Sequence, residues 1–177
     1  MVGSSSSEYT SGMAIATTPS SADASATGIE EIRHDGNVLA IILRASFSGQ
    51  GVRFITPDDY PQQVGYMRHP KGKVIEPHVH NEVTRTITLT QEVLLIRQGR
   101  VRVDFYNDQQ TYLESRILEQ GDLVLLSHGG HGFEALEELE MIEVKQGPYA
   151  GGRDKIRFTP PRQGLTYTRS SRPGAEE

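Results

Sequence analysis

The chain has no cysteine and no tryptophan. Without Cys there are no disulfides, no thiolate zinc sites and no cysteine nucleophile. That absence fits a reducing compartment, so a cytoplasmic protein is expected. Long apolar runs are missing too. The longest, Val38–Leu43, falls far short of the ~18 residues a membrane helix needs. Basic charge is in short supply: 18 Lys+Arg stand against 23 Asp+Glu, for a net charge of −5. Nucleic-acid binding wants a basic face and is not expected. Gly-x-x-x-x-Gly-Lys, a post-strand Gly-x-Gly-x-x-Gly and Gly-x-Ser-x-Gly are also absent. P-loop hydrolysis, dinucleotide redox chemistry and serine-hydrolase chemistry therefore have no carrier. Apolar residues make up 36% of the 177, a low share that points to one packed domain with loose ends.

Residues 1–28 are mostly Ser, Thr, Ala and Gly. They carry too little apolar surface to offset their ordering entropy, and no basic start or apolar core of an export signal. They read as a flexible N-terminal arm. Residues 159–177 read as an extended basic tail, rich in Pro, Gly, Ser and Arg. The packed domain is then 29–158. Its pattern is strand-like: Val38–Arg44, Val52–Ile55, Gln63–His69, Lys73–His80, Val83–Leu89, Glu92–Arg97, Val101–Tyr106, Tyr112–Leu118, Leu123–Leu126 and Met141–Gln146. Gly, Pro and Asn-Asp signals punctuate them. Phe133–Val144 is ambiguous between strand and helix, and no internal repeat is visible. So many short strands in one domain predict an all-β sandwich or barrel.

Among the six histidines, His78 and His80 stand in Pro77-His78-Val79-His80. On a strand, residues i and i+2 share a face, so the two imidazoles point one way. That makes either a pair of metal ligands or a solvated His pair. Glu76 shares their parity and is expected to face inward, as a general base or a partner to an imidazole. Leu94 and Ile96 share the parity of Glu92 and are expected in the core. Arg102 and Asp104 alternate with Val101, Val103 and Phe105, which predicts a polar outer face. On the last strand, either Ile142 and Val144 face the core with Glu143 and Lys145 on the surface, or the reverse. In the reverse case Lys145 is placed to hold a substrate anion. Arg44, Arg85 and Arg97 are further candidates for holding an anion. Tyr66 and Tyr149 are candidates for hydrogen bonding to sugar hydroxyls. Glu134, Glu137, Glu138, Glu140 and Glu143 form an acidic run that reads as a solvated loop.

Gly72, His78, His80, Glu92 and Gly99, followed by Gly121, Gly129 and His131, resemble the two motifs of the cupin superfamily. The first motif reads Gly-x5-His-x-His-x3,4-Glu-x6-Gly. The spacing from Glu92 to Gly99 fits it, but residues 81–91 lengthen the gap after His80. In the second motif Ser127 replaces Pro, Gly129 fits, only one residue separates Gly129 from His131 where the family has two, and Ala135 stands where the family has Asn. The resemblance covers 72–131 and extends in outline over 37–158. Residues 147–158 further resemble the tail of small single-domain bacterial cupins associated with surface-polysaccharide gene sets.

The resemblance implies a double-stranded β-helix, or jelly-roll barrel, holding one divalent metal ion (Fe, Mn, Ni or Zn). His78, His80, Glu92 and His131 would be the ligands, with His128 the alternative to His131. It also implies a metal-dependent enzyme, an isomerase, epimerase or oxygenase, acting on a small polar substrate that is sugar-derived. A non-catalytic ligand-binding module and a metal-free sugar-nucleotide isomerase are the alternatives. A homodimer is expected, with the continuous apolar run Val38–Leu43 shared between subunits. No nucleic-acid or membrane partner is expected.

Overall fold

A computed structural model describes residues 28–160 and, as backbone, 167–168. Residues 1–27, expected as the flexible arm, and most of the basic tail lie outside the described residues. The strands are β1 (Ile29–His34), β2 (Asn37–Leu43), β3 (Gly51–Phe54), β4 (Gly65–Arg68), β5 (Glu92–Gln98), β6 (Arg100–Tyr106), β7 (Tyr112–Glu119), β8 (Leu123–Leu126), β9 (Gly130–Ala135), β10 (Glu140–Lys145) and β11 (Tyr167–Thr168). One sheet runs β1-β2-β8-β5-β10 and a second β11-β7-β6-β9, while β3 and β4 form a separate hairpin. All pairings are antiparallel except β11 with β7. The fold is all-β. Among the described residues no helix is long and apolar enough to cross a membrane.

Local chemistry sets these elements. Asp35 and Gly36 both take positive φ between β1 and β2, the two-residue turn whose twist matches a hairpin. Gly99 joins β5 to β6 at φ 81°, and a Cβ there would stand 2.0 Å from the Glu138 carbonyl oxygen. Only glycine fits that close approach. Residues 133–144, ambiguous in the sequence, resolve as the end of β9, a short connection that crosses from one sheet to the other, and β10. Part of the acidic run is therefore strand rather than loop.

The two sheets share one core. Ala40, Ile42, Leu94, Ile96, Val124 and Leu126 come from the first sheet, and Val101, Val103, Phe105 and Leu118 from the second. Leu94 and Ile96 are inside, as the parity of Glu92 requires. The opposite face of the first sheet is apolar as well. There Ile41 and Leu125 pack with Val93, Val38, Leu123, Ile55, Tyr60 and Val64. β2 is thus buried on both faces by its own chain, between β1 and β8. This corrects the expected role of Val38–Leu43: the run is continuous because the strand is internal, and it is not shared between subunits.

At the end of β2, Arg44 clamps three elements. It donates to Glu30 at 2.6 Å, Asp122 at 2.9 Å and the Ile117 carbonyl at 2.8 Å. Burial works against its charge, but the bonds to Glu30 and Asp122 outweigh it and raise its pKa. Arg44 is a structural residue, not one that holds a substrate. Asp104 was expected on a polar outer face; it is buried and held by Arg102 and Ser115.

Lys73–His80 and Val83–Leu89 were expected as strands. They belong to no sheet, and residues 71–90 are exposed throughout.

Candidate functional site

Three side chains converge on the inner face at one end of the core. In the register of β10 against β5, Lys145 pairs with Glu92, Glu143 with Leu94 and Met141 with Ile96. Glu92, Leu94 and Ile96 face inward, so Lys145 and Glu143 do too, while Ile142 and Val144 are left exposed outside. This reverses the commoner expectation for an alternating strand and makes Lys145 available to the site. His131 lies opposite Phe105 on β6, and Phe133 opposite Val103. Both partners are core residues, so β9 turns His131 and Phe133 inward.

His131 Nε2 stands 3.2 Å from Glu92 Oε2. The hydrogen bond from His131 holds the Glu92 carboxyl below its ordinary value of 4.5; burial opposes this, and the charges of His131, Lys155 and Lys145 add to it. Lys145 Nζ lies 3.9 Å from Glu92 Oε1 and 3.1 Å from Asp154 Oδ2. The Asp154 bond, against some burial, raises the Lys145 pKa, so the ammonium stays charged. These groups line a cavity of about 730 Å³. Its walls include Tyr106, Phe133 and Phe158, and its rim carries Arg153, Lys155 and Arg157. Tyr106 packs edge-on against Phe158 with ring centroids 5.1 Å apart. Burial pushes its phenol pKa up, which keeps the hydroxyl a donor.

The other candidates lie elsewhere. His128 bonds Asp108 at 3.0 Å, so His131, not His128, faces Glu92. His78 and His80 sit on the exposed 71–90 segment, their rings 5.3 Å apart. Glu76 is exposed beside them rather than inward, and its carbonyl bonds His78 Nδ1 at 2.9 Å. Arg97 pairs with Glu140 at 3.0 Å on the surface. Tyr66 packs against Phe47. Neither Arg97 nor Tyr66 lines the cavity. Arg85 is exposed; Tyr149 is exposed too, but beside the site, its ring centroid 5.5 Å from Lys145 Nζ.

The expected metal ligands therefore fall into two pairs: Glu92 with His131 inside, and His78 with His80 on the exposed segment. Among the described residues no group of three or more His, Cys, Asp or Glu side chains is placed to hold a metal ion. As placed, the described residues do not fit the centre that the resemblance implies. Comparison with protein-family models, curated proteins and solved structures finds no match.

Tyr106, Asp154 and the three cationic rim residues had not been singled out. A signal for the rim was present: Arg153, Lys155 and Arg157 cluster just after the packed strands in an otherwise acidic chain.

Proposed function

We propose that the chain is a cupin-type, jelly-roll enzyme that moves a proton on a small anionic carbohydrate derivative. The reaction class is isomerisation or epimerisation next to a carbonyl. The observation that carries the reading is the 3.2 Å His131–Glu92 pair inside a cavity with a cationic rim. With Nε2 committed to the carboxylate, Nδ1 is the imidazole nitrogen left to take up a proton and return it. Glu92 fixes the tautomer and stabilises the imidazolium that forms. Lys145 supplies positive charge next to the dyad, where an enolate oxygen or a substrate phosphate is favoured. The Tyr106 hydroxyl adds a donor for a sugar oxygen. Arg153, Lys155 and Arg157 favour a ligand with a phosphate or carboxylate at the entrance.

The test is isotope exchange. Phosphorylated and nucleoside-diphosphate-linked keto sugars are incubated with the protein in deuterated water. Deuterium is expected at the carbon next to the carbonyl, and the label is expected to vanish in His131→Ala while the ligand still binds. Binding without exchange in the wild type leaves a ligand-binding module instead. A metal-dependent form of the chemistry is favoured by one observation, the adjacent imidazoles of His78 and His80. It requires them to reach the dyad. Stoichiometric metal in untagged protein, lost in His78→Ala, would establish it.

A further inference from the structure

A second cavity, of about 340 Å³, lies at the same strand ends as the first. Asn37, Ser127 and Gln91 line it, where β2 begins, just after β8 ends and just before β5. These three strands are neighbours in the first sheet. The cavity is on the outer side of that sheet, where Val38 and Tyr60 pack. Gln91 and Glu92 are consecutive, yet their side chains line different cavities, and His128 and His131 divide in the same way. Among the described residues only Thr88 and Leu89 border both.

The chemistry of the two differs. No described Lys or Arg lines the second cavity, and its one carboxylate is that of Asp59. Its volume is at the lower end of the range for small-molecule sites. Gln91 is 5% exposed. Its Oε1 accepts the Gln62 N–H at 3.3 Å, while its Nε2 has no hydrogen-bond partner among the described residues. A buried amide donor left unpaired is costly. His128 gives Nε2 to Asp108 at 3.0 Å, so Nδ1 is an acceptor in the neutral ring. The Ser127 hydroxyl donates to the Val38 carbonyl at 2.6 Å and keeps its lone pairs. Tyr60 adds a flat apolar wall. An anion meets Asp59 there and no cation. A cation finds a single carboxylate, on an exposed residue. An apolar ligand leaves the Gln91 donor unpaired. A ring of hydroxyls suits the whole set, since each hydroxyl both donates and accepts and the ring carbons offer an apolar face.

We propose that this second cavity binds a neutral, polyhydroxylated ring, a sugar unit without phosphate or carboxylate. Gln91 Nε2 and the Asn37 amide donate to its hydroxyls. His128 Nδ1 and the Asp59 carboxylate accept from them, and Tyr60 covers the ring's C–H face. Selection here is by hydrogen bonds and shape, in contrast to the cationic cavity on the other side of Thr88 and Leu89. The site needs neither a metal ion nor the His131–Glu92 pair.

The Gln91 side-chain amide is its own reporter. The full chain, labelled with heavy nitrogen, is titrated with the methyl glycosides of glucose, galactose and mannose and followed by amide correlation spectra. At least one glycoside is expected to shift the Gln91 side-chain pair and the backbone amides of Asn37 and His128, with a dissociation constant on the order of 1 mM. The amides of His131 and Lys145 should stay in place. Added salt should leave the affinity unchanged, because no ion pair is screened. Gln91→Met keeps the length of the side chain and removes its amide, and should weaken binding roughly tenfold. Asn37→Ala, at an exposed position, should weaken it roughly threefold without disturbing the core. The proposal is overturned if none of the three glycosides moves the Gln91 pair well above that concentration. It is also overturned if the shifts fall on His131 and Lys145 instead, or if both variants bind like the wild type. A failure of isotope exchange at His131 leaves these shifts untouched, so the two readings fail separately.

Discussion

His131 and Glu92 meet at 3.2 Å although their strands, β9 and β5, belong to different sheets and do not pair. The contact spans the gap between the sheets at the open end of the core. A His–carboxylate pair is held there by packing, with no hydrogen-bonded ladder between the two strands. Such a pair depends on both sheets keeping their positions.

The pair ties stability to pH. Glu92 is held below its ordinary value, so it binds fewer protons folded than unfolded. Its contribution is fully present above about pH 4.5 and is lost as pH falls below that value through the lower folded one. Urea unfolding at about pH 6 and about pH 3.5 should show a smaller acid loss in Glu92→Gln than in the wild type. An equal loss in the two proteins would remove Glu92 from the acid response.

Arg44 predicts the largest single loss of stability. Its side chain is 11% exposed and that of Asp122 is 6% exposed. Arg44→Ala leaves Asp122 buried without its cation, and Glu30 loses one of its two arginine partners. Breaking such a pair costs about 3 kcal/mol. The melting temperature should fall by on the order of 8 °C. A change under about 1 kcal/mol would mean that water replaces the guanidinium.

Gly99 cannot carry a side chain. Gly99→Ala combines a positive φ with a Cβ that meets the Glu138 backbone oxygen. The β9–β10 connection must shift, at a cost of about 2 kcal/mol. Chemical denaturation measures the cost. Because that connection sets the position of β10, the substitution should also weaken ligand binding in the cavity.

Much of the sheet structure was legible in the chain because alternation and turn residues are local signals. Glu92 and His131 stand out in the sequence through their motif spacing, and the structure places them 3.2 Å apart. β1 was missed: Ile29-Glu30-Glu31-Ile32-Arg33-His34 does not alternate. Two of its charges, on Glu30 and Glu31, are taken up by Arg44 and Arg33. β9 was missed because its Gly-His-Gly start looks like a turn. The orientation of β10 was not legible because the usual rule puts Ile142 and Val144 inside. The rule fails where a strand borders a polar cavity, which draws Lys145 inward and leaves Ile142 and Val144 outside. The segment with His78 and His80 has the β-branched and aromatic content of a strand but no strand pairing, because pairing depends on a neighbour that local sequence does not specify.

Lys145 should decide which ligands bind. It stands at the end of β10 within 3.9 Å of Glu92, and Asp154 holds it at 3.1 Å. A neutral ligand gains little from it, whereas a phosphate or carboxylate gains a direct charge partner. Lys145→Met keeps most of the aliphatic volume and removes the charge. Titration calorimetry with inorganic phosphate and with a phosphorylated sugar should show affinity reduced by roughly tenfold, the loss of one charge-assisted contact. The wild type should weaken with added salt more steeply than the variant, since a charge contact is screened. A neutral sugar should bind both proteins alike. If Lys145→Met binds phosphate as tightly as the wild type, the anion is held by the Arg153–Arg157 rim, and Lys145 serves only to anchor Asp154.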